Sequence, residues 1–293
     1  MNALVVINPK AGGGKGAVIG ERVRKYFADK TDKVFFVEAP SLAQSLEQTH
    51  LRCSTNDPEL LICVGGDGLV HDLLPILIEF CLPLLVVPAG TGNDFARTLG
   101  LHGTKLSTLL ELPNTQGPEG INLVLVSHNQ VETPFVQILS TGFDSVVNAQ
   151  ANNYKVIKGR AKYIMAVLQK VWSFSPVDFT ITIDGKSQNR RAMLVCIANG
   201  TSYGAGMKIV PHAKNDDDLL DLMVVDRVNP LRLLMVFPRV FLGTHINHPM
   251  VAFFKGREIS ISGDTTAFAD GERISELPVG VRIADQALRV FRL

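Results

Sequence analysis

The residues of this chain best suited to chemistry lie in three glycine-rich loops. They are Asn8-Pro9-Lys10-Ala11-Gly12-Gly13-Gly14-Lys15-Gly16, Gly65-Gly66-Asp67-Gly68 and Pro88-Ala89-Gly90-Thr91-Gly92-Asn93-Asp94. Closely spaced glycines let the backbone turn where side chains would clash. Such turns gather several N–H groups at one point, which is how a phosphate is held. Lys10, Lys15, Thr91 and Asn93 add donors, and Asp67 adds a carboxylate suited to Mg²⁺ or a lysine. Two common nucleotide motifs are excluded. A Walker A loop is broken at Pro9 and Gly16, and a dinucleotide GxGxxG pattern fails at Ala17 and Phe95. One such loop alone reads equally well as a plain strand-to-helix turn, with Asn93 or Asp94 as a helix cap. Three of them, each following an apolar run, point to phosphate handling.

The elements that must position these loops follow from periodicity. Strands are expected at 3–7, 33–37, 60–64 and 84–87, and helices at 15–28, 41–52, 69–81 and 93–99, with a kink at Pro75. That alternation is the signature of a parallel sheet covered on both faces. The strand ends of like polarity would then place all three loops on one edge. From about residue 122 the chain reads as strands separated by turns, interrupted by helices near 145–173 and 230–243. The expected division is an α/β domain of residues 1–126, with a return over 280–293, and a β-rich domain of residues 127–279.

Bulk properties narrow the function classes. A net charge of +1 over 293 residues argues against a dedicated nucleic-acid binder. No apolar run is long enough to span a membrane, and Leu4-Val5-Val6-Ile7 reads as a strand rather than as part of a signal peptide. Four cysteines without a CxxC pair read as reduced and structural, so a cytoplasmic protein is expected. His245 and His248 lack a third ligand and read as structural or as lining of a substrate cleft. Lys155, Lys158, Arg160, Lys162 and Lys170, set among Ile164, Val167, Leu168 and Trp172, form a basic amphipathic stretch suited to anionic lipid or to solvent.

Taken together the motifs resemble the diacylglycerol kinase catalytic-domain family, which includes bacterial lipid kinases, sphingosine kinases and ceramide kinases. The likeness continues through Asn199-Gly200, Tyr203 to Ile209, Asp216 to Asp221 and Phe268-Ala269-Asp270-Gly271-Glu272, and so spans nearly the whole chain. It implies a two-domain fold, α/β first and β-sandwich-like second, with ATP in the cleft between them. By this resemblance ATP contacts come from Asn8, Pro9, Lys10, Ala11, Gly12, Gly65, Gly66, Asp67, Gly68, Asp72, Thr91 and Glu272, with Ser41 as a further candidate. Asp270 matches the family's proton acceptor for the lipid hydroxyl. A structural Mg²⁺ would be held by Asp217 and the carbonyls of Lys214 and Leu219.

The implied activity is transfer of the ATP γ-phosphate to a membrane lipid, diacylglycerol foremost, during transient contact with the bilayer. The resemblance leaves room for a homodimer. Two alternatives stand beside it: phosphorylation of a soluble nucleotide in the manner of NAD kinases, and a catalytically silent lipid- or nucleotide-binding regulator. Departures from the family pattern motivate the latter. Leu69 stands where a threonine is usual, His71-Asp72 where Asn-Glu is usual, and Asp218 where glycine is usual.

Overall fold

The computed structural model describes residues 1–154 and 160–293. Lys155 and Lys158 of the basic stretch lie outside the described residues. The chain forms two compact units, residues 1–121 with 287–293, and residues 122–286.

The first unit alternates β1 (Asn2–Ile7), α1 (Lys15–Ala28), β2 (Lys33–Glu38), α2 (Leu42–Asn56), β3 (Leu60–Gly65), α3 (Asp67–Glu79), β4 (Leu84–Pro88), α4 (Asp94–Thr98), α5 (Leu106–Thr115) and β5 (Glu119–Ile121). β1, β3 and β4 are almost entirely buried, as expected of strands with helices on both faces. Ser41 caps α2, its Oγ accepting from the Gln44 N–H. Pro75 lies within α3, which runs through it to Glu79.

The second unit holds β6 (Val124–His128), β7 (Val131–Phe135), β8 (Ile138–Gly142), α6 (Phe143–Asn152), α7 (Arg160–Lys170), β9 (Val177–Ile183), β10 (Lys186–Ala198), β11 (Leu220–Asp226), α8 (Pro230–Leu242), β12 (Val251–Gly256), β13 (Glu258–Ser262), β14 (Thr266–Ala269), β15 (Glu272–Glu276) and β16 (Val279–Ile283). These strands pair antiparallel in one 11-stranded sheet. Alternation along β11 divides its side chains between two cores. Leu220, Leu222 and Val224 face one cluster with Val195 and Ile261. Met223 and Val225 face the other, which is covered by α6, α7 and α8.

A last strand, β17 (Leu288–Val290), returns to the first unit. The first sheet runs β2-β1-β3-β4-β17-β5, parallel except where β17 meets β5. β1 therefore has β2 on one side and β3 on the other. The direction of winding reverses there, and the open end of such a reversal is where α/β sheets receive ligands.

Several elements depart from the sequence expectation. Leu123 to Val126 and Gly280 to Ile283, placed by sequence at the margins of the first domain, belong to the second unit, where β6 pairs with β16. The segment 134–139 contains two strands, because the chain turns at Val136-Gln137. Helices α6 and α7 occupy what reads as one helical run. Cys53, Cys63 and Cys196 are buried, whereas Cys81 is exposed.

Candidate functional site

Loop one leaves β1 at Asn8. The Asn8 N–H donates to the Val64 carbonyl at 3.0 Å, which ties the loop to β3. Asn8 Oδ1 then accepts from the Lys10 N–H at 3.0 Å. Gly12, Gly13 and Gly14 all adopt positive φ. At Gly12 a Cβ would also lie 2.3 Å from the Ala89 carbonyl oxygen, so loop one rests directly on loop three.

Loops two and three meet backbone to backbone. The Gly65 carbonyl accepts from both Ala89 N–H (2.7 Å) and Gly90 N–H (3.1 Å). A Cβ on Gly90 would lie 2.7 Å from the Gly66 Cα, and one on Gly66 3.1 Å from the Gly90 Cα. The three loops thus converge at the carboxyl ends of β1, β3 and β4. Asp67 Oδ1 accepts from the Phe95 N–H at 3.0 Å. Asp67 therefore caps the start of α4, while the side chain of Asn93 at the cap position does not. Asn93 Nδ2 donates instead to the Gly90 carbonyl, which leaves its buried Oδ1 without a partner. That orphaned acceptor beside Gly66 and Gly90 suits a ligand or hydrated cation that donates to it.

Asp72 lies half-buried on α3, and Thr91 and Lys10 are exposed. Burial, then the nearby charges of Asp67 and Asp72, push the Cys63 thiol up. Both carboxylates therefore act on the carboxyl end of β3. A cavity of about 230 Å³ adjoins loop one, lined by Asn8, Pro9, Lys10, Pro40, Ser41 and Leu69. Leu69 gives it an apolar wall where a threonine would present a hydroxyl. Lys10 Nζ donates to the Pro40 carbonyl at its rim. In this unit the structure brings together Asn8, Pro9, Lys10, Ala11, Gly12, Gly65, Gly66, Asp67 and Gly68.

The other expected site residues belong to the second unit. Asp270 (φ 51) and Gly271 (φ 92) form the two-residue turn between β14 and β15, with exposed Glu272 next in chain. The Asp270 carboxylate accepts three backbone N–H groups, from Val136 (3.0 Å), Gln137 (2.9 Å) and Ile138 (3.1 Å). Asn199 secures the same segment, Nδ2 donating to the Val136 carbonyl and its N–H to that of Gln137. Asp270 is thus held in one orientation and also organises the turn between β7 and β8.

In the acidic loop, Asp217 Oδ1 accepts from the Leu219 N–H and Oδ2 from Lys255 Nζ at 3.3 Å. Lys255 also lies 3.4 Å from buried Asp221, which has His212 at 3.5 Å. Burial pushes Asp221 up, against the pull of Lys255. Burial alone would lower Lys255, yet Asp221 and Asp217 hold it above its ordinary value. Asp218 takes positive φ, the conformation glycine usually supplies. Among the described residues no group of three His, Cys, Asp or Glu side chains could hold a metal ion. The Leu219 N–H and Lys255 Nζ each bond one Asp217 oxygen, so a cation held by Asp217 and the carbonyls of Lys214 and Leu219 would share that carboxylate with Lys255.

His245 Nε2 lies 2.9 Å from the Ile209 carbonyl, and His248 Nδ1 accepts from the Met250 N–H. Both rings serve the backbone, and His245 also lines the apolar cavity beneath α8.

Sequence reasoning missed Asp144. It lies buried at the edge of an apolar cavity of about 80 Å³ beneath α7 and α8, among Phe143, Tyr163, Tyr203, Met223 and Phe237. Ser140 Oγ and Asn148 Nδ2 donate to its Oδ2 (2.5 and 2.6 Å), and Tyr203 OH donates to its Oδ1. Burial pushes the carboxyl up to about 7 despite the Ser140 and Asn148 bonds. The only sequence signal was a lone acid just after Gly142-Phe143.

Residues 2–126 match the diacylglycerol kinase catalytic domain, and residues 137–292 match the YegS C-terminal NAD kinase beta sandwich-like domain. A diacylglycerol kinase of Mycobacterium tuberculosis is 31% identical over 237 residues, covering 80% of this chain and 77% of that protein. A crystal structure of a diacylglycerol kinase from Bacillus anthracis str. Sterne aligns with TM-score 0.71 and 19% identity, covering 100% of this chain and 97% of the other. An NAD kinase from Archaeoglobus fulgidus, solved in complex with ATP, shares the fold at TM-score 0.55 and 13% identity, covering 100% and 94%. With its glycine loops, its β-sandwich-like second unit and this degree of identity to a named relative, the chain belongs to the diacylglycerol kinase family.

Proposed function

We propose that the protein transfers the γ-phosphoryl group of ATP to the hydroxyl of a membrane lipid, with diacylglycerol as the preferred acceptor and phosphatidic acid as the product. The observation that carries this reading is the convergence of three glycine loops on one sheet edge, packed so closely that Gly12 and Gly90 leave no room for a Cβ and Gly66 leaves little. Backbone N–H groups there, with Lys10 and Thr91, would bind the phosphates. Mg²⁺ arriving with ATP would supply charge neutralisation, with Asp67 and Asp72 as the carboxylates suited to it or to its waters. A structural Mg²⁺ at Asp217 and the carbonyls of Lys214 and Leu219 would share the Asp217 carboxylate with Lys255.

In the transfer, the lipid hydroxyl oxygen bonds to the γ-phosphorus as the bond to the ADP oxygen breaks. The hydroxyl proton passes late to Asp270, whose carboxylate the three backbone N–H groups orient. The small cavity beneath α7 and α8 is apolar and suits a few methylene groups of a hydrocarbon chain. No helix among the described residues is long and apolar enough to cross a membrane, which accords with a cytoplasmic enzyme that visits the bilayer. The likeness to an NAD kinase is one of fold, so phosphorylation of NAD is the competing outcome.

The test is single-turnover transfer from radiolabelled Mg-ATP, with Asp270→Asn and Asp270→Glu beside the unaltered protein. A loss of 10²–10⁴-fold in Asp270→Asn, in line with removal of a general base, is expected. Equal rates would remove Asp270 from this role.

A further inference from the structure

Charge is distributed very unevenly along this chain. Residues 145–177 and 227–257 together carry ten of the 29 Lys and Arg residues and no Asp or Glu. The remainder carries 19 basic against 28 acidic residues, so a near-neutral protein has two strongly cationic segments. These segments contain α7 and α8. Both helices pack on the same core of the second unit and line the same cavity, through Tyr163 and Val167 on one side and Val236 and Phe237 on the other.

The outward faces of the two helices share a pattern. On α8, Leu231, Met235, Pro238 and Leu242 follow i, i+4, i+7, i+11 spacing and all are exposed, Met235 at 69% and Leu242 at 73%. Arg232 and Arg239 run beside that stripe, one position on. On α7 and the turn after it, Ala161, Met165, Leu168 and Trp172 repeat the spacing and are likewise exposed. Lys162 holds the place corresponding to Arg232. A solvent-facing stripe of apolar residues beside cations, with no acid in either segment, is the composition of a helix lying in a membrane interface. A tryptophan at its edge fits that depth.

We propose that the outer faces of α7 and α8 form one docking surface for an anionic lipid bilayer. Their apolar stripes enter the headgroup boundary, and Lys162, Arg232 and Arg239 meet lipid phosphates. This deepens the lipid-kinase reading and rests on it for the choice of partner, but docking itself needs neither ATP nor turnover.

Trp172 is the single tryptophan of the chain, so its emission reports on this surface directly. Nucleotide-free protein is titrated with vesicles of phosphatidylcholine alone, and with vesicles in which a third of the lipid is phosphatidylglycerol, with co-sedimentation in parallel. The anionic vesicles should shift Trp172 emission to the blue and sediment the protein, and neutral vesicles should do so far less. Each of Arg232→Gln and Arg239→Gln should weaken anionic binding about fivefold. Leu231→Asp with Met235→Asp should abolish it with unchanged melting, while Val18→Asp, an exposed apolar position on α1, should bind normally. Three results would overturn the proposal: no shift on anionic vesicles, normal binding by the Leu231→Asp/Met235→Asp protein, or a dimer in which Trp172 is already shielded. Phosphorylation of a short-chain diacylglycerol dispersed in solution tests the lipid-kinase reading separately, because it requires no bilayer.

Discussion

Substitution of Gly90 by alanine probes the phosphate cradle with one methyl group. The added Cβ would lie 2.7 Å from the Gly66 Cα and 2.7 Å from Asn93 Oδ1. Carbon atoms normally rest about 3.5–4.0 Å apart, so loops two and three must separate by about 1 Å. The opposing Cα belongs to backbone and cannot rotate away. The φ of Gly90 lies outside the left-handed region, so the strain comes from the contact alone. Overpacking of this size destabilises by about 1–3 kcal/mol. A displacement of about 1 Å at the phosphate-binding N–H groups would weaken ATP use up to about 100-fold. Gly66→Ala, with its nearest contact at 3.1 Å, should behave alike but more mildly. Gly117→Ala, with nothing within 4 Å among the described residues, is the control. Titration with a fluorescent ATP analogue and thermal melting measure both effects. A Gly90→Ala protein that binds nucleotide and melts like the unaltered one would refute the argument that this contact shapes the cradle.

Further outcomes follow from other parts of the molecule. The Asp144 carboxyl is raised to about 7 in the folded protein from an ordinary value of 3.8, so the native state retains a proton that the unfolded chain releases. Stability should therefore fall as pH rises from about 4 to about 7, by up to about 4 kcal/mol. Urea denaturation across that range should show this slope relative to Asp144→Asn, and parallel curves would contradict it. Lys255→Met leaves buried Asp221 with His212 alone; since Lys255 is itself partly exposed, the loss should be about 1–3 kcal/mol rather than the full amount for a buried pair, read by urea denaturation. EDTA should lower the melting temperature of the nucleotide-free protein if a cation shares the Asp217 loop, and leave it unchanged if Lys255 alone neutralises Asp217. Leu69→Thr should lower stability by about 1–3 kcal/mol through lost burial, and tighten ATP binding if the new hydroxyl meets a phosphate, as calorimetry would report.

Local physics made the first unit readable. Glycines at strand ends and apolar runs of period 2 or 3.6 place β1 to β4 and α1 to α3 within a few residues of their observed limits. α5 escaped notice because Pro113 and its polar neighbours suggest a loop, although proline is tolerated near the end of this helix. The turn at Val136-Gln137 is set by Asp270 and Asn199, more than sixty residues away, which no local pattern encodes. Asp67 caps a helix 27 residues further along the chain for the same kind of reason. The environment of Asp144, and the pairing of Lys255 with Asp217 and Asp221, depend on burial that only the assembled sheet creates. The apolar stripe of α8 lay in plain sight, but an apolar residue in sequence gives no sign of whether it faces core or solvent.

The most direct test of the account is the fate of the γ-phosphate. Purified protein is incubated with γ-labelled Mg-ATP and a panel of diacylglycerol, ceramide, sphingosine, phosphatidylglycerol and NAD, and the products are partitioned between organic solvent and water. Label is expected in an organic-soluble product that migrates as phosphatidic acid, dependent on diacylglycerol and lost in Asp270→Asn. Label confined to a water-soluble nucleotide, or ATP bound with no transfer to any lipid, would contradict it.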